Sequence, residues 1–589
     1  LAAAAGGGGA EGEPEAGRSR VPPEVREQVS ALWEEWLAVY SQPAQSDKAY
    51  AQFMVLLQQQ GWLKVAEPCD HFFRVLVEIA VETTLCSAQA GSGGELKLDV
   101  GSAADKGGVG ALAQLGGISG GGGGGRAVLN FRALDALSKL VTILVKYFSD
   151  SSSANTRLTL LHRALAAVLR ALLHQYEHEP QRFNQRVYFR MLANWLFDLN
   201  APDPVLDSIN FPVLTAFANA LHALQPARLP GFAFAWLELA AHRMLMPRLL
   251  AAKGQRGWVL FQRLLVHLLR FLHPFLQAAQ LPEPVRLLYR GLLRVLLVLL
   301  HDFPEFLCDY HFALVDCIPT TCVQMRNIVL SAFPRTMRLP DPFTPNLKVD
   351  LLPEITQPPR ILSNVTHALD QAGLRADIDG YLLHRAPYTV LLELRHRLLV
   401  TDVDGRQRFD VPLLNSLVLH VGIQAIAQLQ AKGPQPASPL SNCAPMDIFQ
   451  QLTAELDSEG RYLLLNALAN QLRYPNNQTH YFSCVLLFLF HEATIEQVQE
   501  QITRVLVERL IVHRPHPWGL LITFIELIKN PRYNFWAKNF IRAAPEIEKL
   551  FESVSRSCMG APPTPPSGQG RADGEEGVVA SAFSLGGEH

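Results

Sequence analysis

The chain has 589 residues, of which 49% are hydrophobic and only 18% charged, so it can bury a large core as several domains or one extended array. Its 52 Lys plus Arg nearly balance 54 Asp plus Glu, a net charge of −2 that excludes a global positive field for nucleic acid while leaving a local patch open. The eight cysteines form no CxxC pair, and a chain of this size needs no disulfide framework, so free thiols in a reducing compartment are expected.

Residues 1–20 are small and polar and are expected to be disordered. An Ala/Gly run without an initiator Met points to a fragment boundary, and the order of a secretory signal is missing. Helices begin at Pro23 with PPEVREQVSALWEEWLAVY, DKAYAQFMVLLQQQ and HFFRVLVEIAVETTL. A Gly-rich insert at 91–126 reads as a flexible loop. Helical pattern resumes at Val128, and Asn155 to Tyr176 sets Leu158, Leu161, Leu165, Val168, Leu172 and Tyr176 along one side. Further periodic segments occupy Arg182–Leu199, Phe232–Leu250, Trp258–Leu276 and Val285–Leu300. In the last, Arg286, Arg290 and Arg294 stand four apart and hold one face in water, which argues for a half-buried helix over a membrane span. The apolar run Tyr481–Phe490 is too short to cross a bilayer, so a soluble protein is expected.

These helices make an N-terminal array over 21–333. A Pro-rich connector at 334–360 follows, whose LPDPFTPNLKVDLL keeps apolar residues to bury on the helical core. The middle segment, 361–430, has helices at Ile361–Leu369, Tyr388–Leu399 and Pro412–Gln430, and a short strand pair at Leu399–Val411 around an Asp404-Gly405 turn. A linker at 431–445 leads to a final helical block at 446–559, and the Pro/Gly-rich tail at 560–589 is expected to be disordered. Typical-length helices joined by short breaks predict an all-α, HEAT-like helical-repeat solenoid, each pair burying its apolar face on its neighbours. A single compact bundle is the alternative; the number of helices favours the stack.

Candidate chemistry is sparse. His174 and His178 have a spacing that can place two imidazoles on one metal, but the HExxH order and a third ligand are missing, and a helix C-terminus favours His through its dipole. Cys308, His311, Cys317 and Cys322 fit no usual zinc spacing and read as a packed corner. Gly117-Ile118-Ser119-Gly120-Gly121 matches GxSxG without the strand and helix that would strain the turn. No GxxxxGK[ST] loop occurs. The sequons at Asn364 and Asn477 read as local helix starts. No catalytic, metal or cofactor site is expected, and no cofactor.

The final block carries the most informative stretch, QEQITRVLVERLIVHRPHPWGLLITFIELIKNP from Gln499. Thr494 and Gln497 have capping-box spacing. Ile495, Val498, Ile502, Val505, Leu506 and Leu510 form an apolar stripe, with Glu500, Arg504 and Glu508 opposite. Pro515 and Pro517 stop this helix and Trp518 opens the next. Arg473, Tyr474, Arg504, Arg509, Arg514, His516 and Trp518 supply Arg and aromatic groups suited to a protein interface. RNA would use the same types through stacking and phosphate contact. The structural alternative is solvated helix faces with Trp518 as a core anchor. Arg509 and Arg514 are expected to be exposed.

The same words resemble the C-terminal homology domain of the Not-one family, the scaffold subunit of the CCR–NOT mRNA deadenylase complex. So do MDIFQQL from Met446, EGRYLLLNALANQLRYPNNQTHYFSC from Glu459 and APEIEKLF from Ala544. The likeness continues upstream in LHDFPEFLCDYH from Leu300, SAFPRTMRLPDPFTPNLKVD from Ser331 and INFPVLTAF from Ile209. It runs over Val21 to Met559 and weakens across Gly91–Gly125 and Asp370–Arg408. The resemblance implies a non-catalytic scaffold docking Not-two-type and Not-three-type subunits, and short linear motifs of RNA-binding repressors. Deadenylase subunits would be recruited through other regions of the full-length protein. Implied roles are poly(A)-tail shortening, translational repression and mRNA decay, in the cytoplasm including P-bodies and in a nuclear pool. No membrane and no direct nucleic-acid contact are expected. The competing class is a helical RNA-binding or peptide-motif-binding adaptor outside that complex.

Overall fold

A computed structural model describes residues 21–42, 47–63, 65–90, 129–147, 154–278, 281–344, 347–401, 404–431, 442–543 and 545–559. The expectations for the first twenty residues, the Gly-rich insert, the linker from Lys432 and the tail from 560 fall outside them. The described chain is all-α apart from one two-stranded sheet, and it divides into two units, residues 1–264 and 265–589.

The first unit holds α1 (Pro23–Tyr40), α2 (Asp47–Gln60), α3 (Ala66–Ala90), α4 (Arg132–Tyr147), α5 (Ala154–His178), α6 (Gln185–Asp198), α7 (Asn210–Ala223), α8 (Ala233–Ala240) and α9 (Met246–Leu250). It ends within α10 (Trp258–Gln277). From α3 to α6 each helix packs on the one two ahead of it: α3 on α5 and α5 on α7, α4 on α6 and α6 on α8. That alternation is what stacked helix pairs produce, because each pair buries its inner faces on the next. In α4 nearly every residue from Ala133 to Val145 is buried, since α1, α3, α5 and α6 all lie against it. Trp36 of α1 is 1% exposed, and its indole N–H donates to the Ala136 carbonyl of α4 at 2.9 Å. A buried indole needs a partner for its single donor, and this one also fixes the depth of α1. The stripe foreseen on α5 is present, with Leu161, Leu165, Val168 and Leu172 buried.

The second unit continues with α11 (Glu283–Asp302), α12 (Pro304–Asp316) and α13 (Val323–Leu330). After the connector come α14 (His367–Gln371), α15 (Arg375–His384), α16 (Thr389–Arg397), β1 (Leu399–Thr401) and β2 (Gln407–Phe409). The rest is α17 (Val411–Ala431), α18 (Ala444–Glu455), α19 (Ser458–Ala469), α20 (Asn477–Glu492), α21 (Glu496–Leu510), α22 (Trp518–Lys529) and α23 (Pro545–Met559). The two-ahead alternation recurs, α17 on α19 on α21 and α20 on α22. On α11, Arg286, Arg290 and Arg294 are exposed while Leu292, Leu296 and Leu299 are fully buried. By length and hydropathy alone α10 and α17 reach membrane-spanning values; α17 buries its surface against α19 and α20. The strand pair is present, antiparallel with Leu399 opposite Phe409, and Gly405 adopts φ +75° in its turn.

The connector lies against helices of its own unit. The Gln357 carbonyl accepts from the Asn477 N–H at the start of α20 at 3.0 Å, and just past the connector's end the Leu362 N–H donates to the Asp309 carbonyl of α12 at 2.9 Å. One expectation fails at α21. Its N-cap is Ile495, with no side-chain cap, so Thr494 lies one position outside the helix and cannot close a box with Gln497. Ile495, expected on the apolar stripe, is 61% exposed.

Candidate functional site

Two prolines build the corner between α21 and α22. Neither can continue a helix, and Pro517 takes the N-cap position so that Trp518 becomes the first helical residue. Trp518 is buried, and its indole N–H donates to the Pro340 carbonyl of the connector at 2.8 Å. Behind it, the Gly519 N–H donates to the Arg473 carbonyl at 2.6 Å. A Cβ at Gly519 would stand 2.4 Å from the Thr479 methyl and 2.9 Å from that carbonyl, so only glycine lets α22 start against the 473–479 turn. The Gln324 amide of α13 holds the His513 carbonyl at 2.8 Å. His516 Nε2 lies 2.9 Å from the Val512 carbonyl, which can only accept, so Nε2 carries the proton. Burial pushes His516 below the usual imidazole range; the Val512 bond opposes this and the Arg514 charge adds to it.

A cavity of about 370 Å³ opens at this corner. One wall is the connector, Leu339, Pro342 and Phe343. The second is the corner itself, Leu510, Ile511, Arg514, His516, Trp518 and Leu521. The third is α23, through Leu550, Ser553 and Val554. Ile511 and Leu550 stand 49% and 42% exposed. The lining has an exposed cation, Arg514, and no carboxylate. Such a groove takes apolar side chains of an extended segment and favours acidic groups beside them.

The seven sequence-predicted residues separate into three groups. Arg514, His516 and Trp518 line the groove. Arg504 is exposed on α21, its guanidinium 5.8 Å from the Tyr462 ring centre. Arg473, Tyr474 and Arg509 are buried, which corrects the expectation of an exposed Arg509. Arg509 is 2% exposed and donates through Nη2 to the Asn466 carbonyl (3.3 Å), Asn466 Oδ1 (2.7 Å) and Asn470 Oδ1 (2.9 Å). Asn470 Oδ1 also accepts from Arg326 at 3.2 Å, and Arg326 further holds the Pro319 and Ile318 carbonyls. One amide oxygen thus serves two buried guanidiniums. Burial pushes Arg509 down to about 9, with the Arg326 charge adding to it, and burial pushes Arg326 down to about 10. Arg473 donates to the Cys308 carbonyl at 3.2 Å and lies over its neighbour Tyr474, 5.2 Å from the ring centre. These three lie inside the block rather than on the groove.

The walls at Leu339–Phe343 and Leu550–Val554 were not among the sequence candidates. Their signal was apolar residues set between prolines in LPDPF, and Leu550 and Val554 four apart on a helix of otherwise polar surface. His174 and His178 are exposed and stack with ring centres 4.5 Å apart. His311 is wholly buried, with Nδ1 3.0 Å from the Cys308 carbonyl; burial raises the Cys308 thiol to about 12. Among the described residues, no group of three or more His, Cys, Asp or Glu is placed to hold a metal.

Comparison with known proteins bears on this geometry. The family described as "CCR4-Not complex component, Not1" matches residues 196–555. The chain is 39% identical over 578 residues to the Caenorhabditis elegans protein named CCR4-NOT transcription complex subunit let-711, covering 95% of this chain and 21% of that one. It spans between 21% and 24% of the length of the curated relatives it matches. Among solved structures, the NOT1 superfamily homology domain from Chaetomium thermophilum is similar at TM-score 0.75 and 26% identity, covering 91% of this chain and 99% of that one. A Not1 C-terminal domain solved in complex with Not4 is similar at TM-score 0.68 and 25% identity, covering 88% and 99%.

Proposed function

The chain belongs to the Not1 family of CCR4-Not complex components, and from that premise we propose that it is a non-catalytic docking domain for other subunits of the complex, Not-two-type and Not-three-type proteins among them. The observation that carries this reading is the groove at the Pro515–Pro517 corner. Its apolar walls and single exposed cation suit an extended segment that seats aliphatic or aromatic anchors and places a carboxylate beside Arg514. The neighbour solved with Not4 supports the same class of partner, a protein subunit. Through such docking the domain would serve poly(A)-tail shortening, translational repression and mRNA decay, in the cytoplasm including P-bodies and in a nuclear pool. Short linear motifs of RNA-binding repressors would compete for the same kind of groove, and deadenylases would join through other parts of the full-length protein.

Ile511→Asp combined with Arg514→Glu tests the reading at two exposed positions of the rim. We expect pull-down of Not-two-type and Not-three-type partners to weaken by at least about tenfold, the loss typical of an anchor and a charge-assisted contact together. Helix content and melting should be unchanged, because both side chains are exposed. Unchanged partner affinity in a folded double variant would move the docking surface elsewhere.

A further inference from the structure

The third wall of the groove, α23, ends at Met559, and all three walls belong to the second unit. Val554 on that wall stands five residues before the helix end, about 8 Å along the axis at the usual rise. The chain therefore leaves α23 close to the groove, and residues 560–589 follow. Their sequence changes character once. Residues 560–572, GAPPTPPSGQGRA, hold four prolines and three glycines and, prolines aside, nothing apolar larger than alanine. Residues 573–585, DGEEGVVASAFSL, set three carboxylates, Asp573, Glu575 and Glu576, ahead of Val578, Val579, Phe583 and Leu585. In an extended backbone Val579, Phe583 and Leu585 share one face. The first run has the composition of a tether and the second that of a ligand.

The groove is complementary on both counts. It offers apolar walls at Phe343, Ile511, Trp518 and Leu550, a cation at Arg514 and no carboxylate. The second unit has one other long segment outside the described residues, 432–441, which carries no carboxylate and, among large apolar residues, Leu440 alone. The thirteen residues 560–572 reach as far as about 43 Å when extended, ample for the return from Met559 past Val554. A tether of that length holds the ligand at an effective concentration on the order of 1 mM, which a second copy at micromolar concentration does not match.

We propose that residues 573–585 fold back on α23 and fill the groove in cis, with the carboxylates beside Arg514 and the apolar side chains between the walls. A partner then has to displace the tail of the domain it binds. With an intrinsic Kd of about 0.1 mM for the tethered segment, the apparent Kd of such a partner rises about tenfold. This regulatory consequence rests on the groove being where partners dock; the occupancy by the tail does not.

The test uses the full chain with the photo-crosslinker p-benzoylphenylalanine in place of Phe583, irradiated at low micromolar concentration together with isotope-labelled copies. Cross-links should fall on residues 339–343 or 510–521, walls from segments other than the one the tail continues, and should stay within one copy. Glu575→Arg with Glu576→Arg should lower their yield at least about fivefold, and adding Arg514→Glu to that pair should restore it. A second arm reads occupancy by competition. Val579→Asp with Phe583→Asp empties the groove, so a fluorescein-labelled peptide of the sequence 573–585 should bind this variant about tenfold more tightly than the parent. Helix content should stay as in the parent, since both substitutions lie outside the described helices. Cross-links confined to α23, found away from the groove or joining two copies would overturn the proposal, as would equal peptide affinity for parent and variant. Pull-down of Not-two-type and Not-three-type partners should strengthen about tenfold in the same variant. Cross-links in the groove with partners indifferent to the variant would remove the docking reading and leave the tail in its place.

Discussion

Arg509 and Arg326 are the residues on which the second unit depends most sharply. Two cations removed from water share Asn470 Oδ1, which keeps one donor if either is lost, whereas removing Arg509 takes away the donor that holds Asn466 Oδ1 at 2.7 Å. Arg509→Ala is therefore expected to destabilise by about 1–3 kcal/mol in urea unfolding, the cost of an unpaired buried acceptor, whereas Arg504→Ala on the exposed face should stay within about 0.5 kcal/mol. Arg509 was legible by phase although not by type. It stands seven residues after Ile502, on the stripe of Val505 and Leu506, and only its charge placed it outside the core in a reading by composition. Asp316 gives a pH signature. Burial raises its carboxyl to about 7, against the Asn415 bond at 2.7 Å and the Arg326 charge. The unfolded value is about 3.9, so between pH ~4 and ~7 the folded state holds a proton that the unfolded state has lost. This group's contribution is fully present below pH ~4 and is lost as pH rises through about 7. Asp316→Asn should flatten that part of a stability–pH profile while keeping the acceptor for Asn415.

At the scale of elements, the corner rests on a close approach. Gly519→Ala must move either the Thr479 methyl or the Arg473 carbonyl, and is expected to cost about 1–3 kcal/mol in thermal or urea unfolding. Because the shift would displace Trp518 from the Pro340 carbonyl, partner pull-down should weaken as well; a variant as stable as the parent would show that α22 can slide without consequence. Most of the long helices, the strand pair at Asp404-Gly405 and the Pro-defined corner were readable, since periodicity and turn chemistry act over a few residues, but α7, α12, α13 and α15 were not singled out. The start of α21 was not readable either. No side chain caps it; Glu496 in its first turn accepts from the Asn539 N–H at 2.6 Å and from its side-chain amide at 2.9 Å, a tertiary contact across forty-three residues that no local motif announces. The groove was half readable: the corner was marked by its prolines, but its other walls arrive from segments with no sequence relation to it.

For the whole molecule, amphipathic helices follow one another along nearly the whole described chain, and this is why the fold class was plain from the sequence. The division inside α10 was not, because its apolar pattern runs through residues 264 and 265 without a break in composition. Deleting residues 91–126 should shift the melting temperature by no more than a few degrees, because loop-closure entropy changes slowly with length. A larger fall would show that the insert packs against the helices.

The groove's three walls come from residues 339–343, 510–521 and 550–554, so the cavity exists only while all three are in place. An occupant therefore acts as a clasp on the fold. Bound at about 100 times its Kd, it would raise the free energy of any opening that releases a wall by about 2.7 kcal/mol. Amide hydrogen exchange reads this directly. Amides of α23 that exchange through local release should slow by about 100-fold when the groove is filled, as should those of the connector, though neither segment need change its structure.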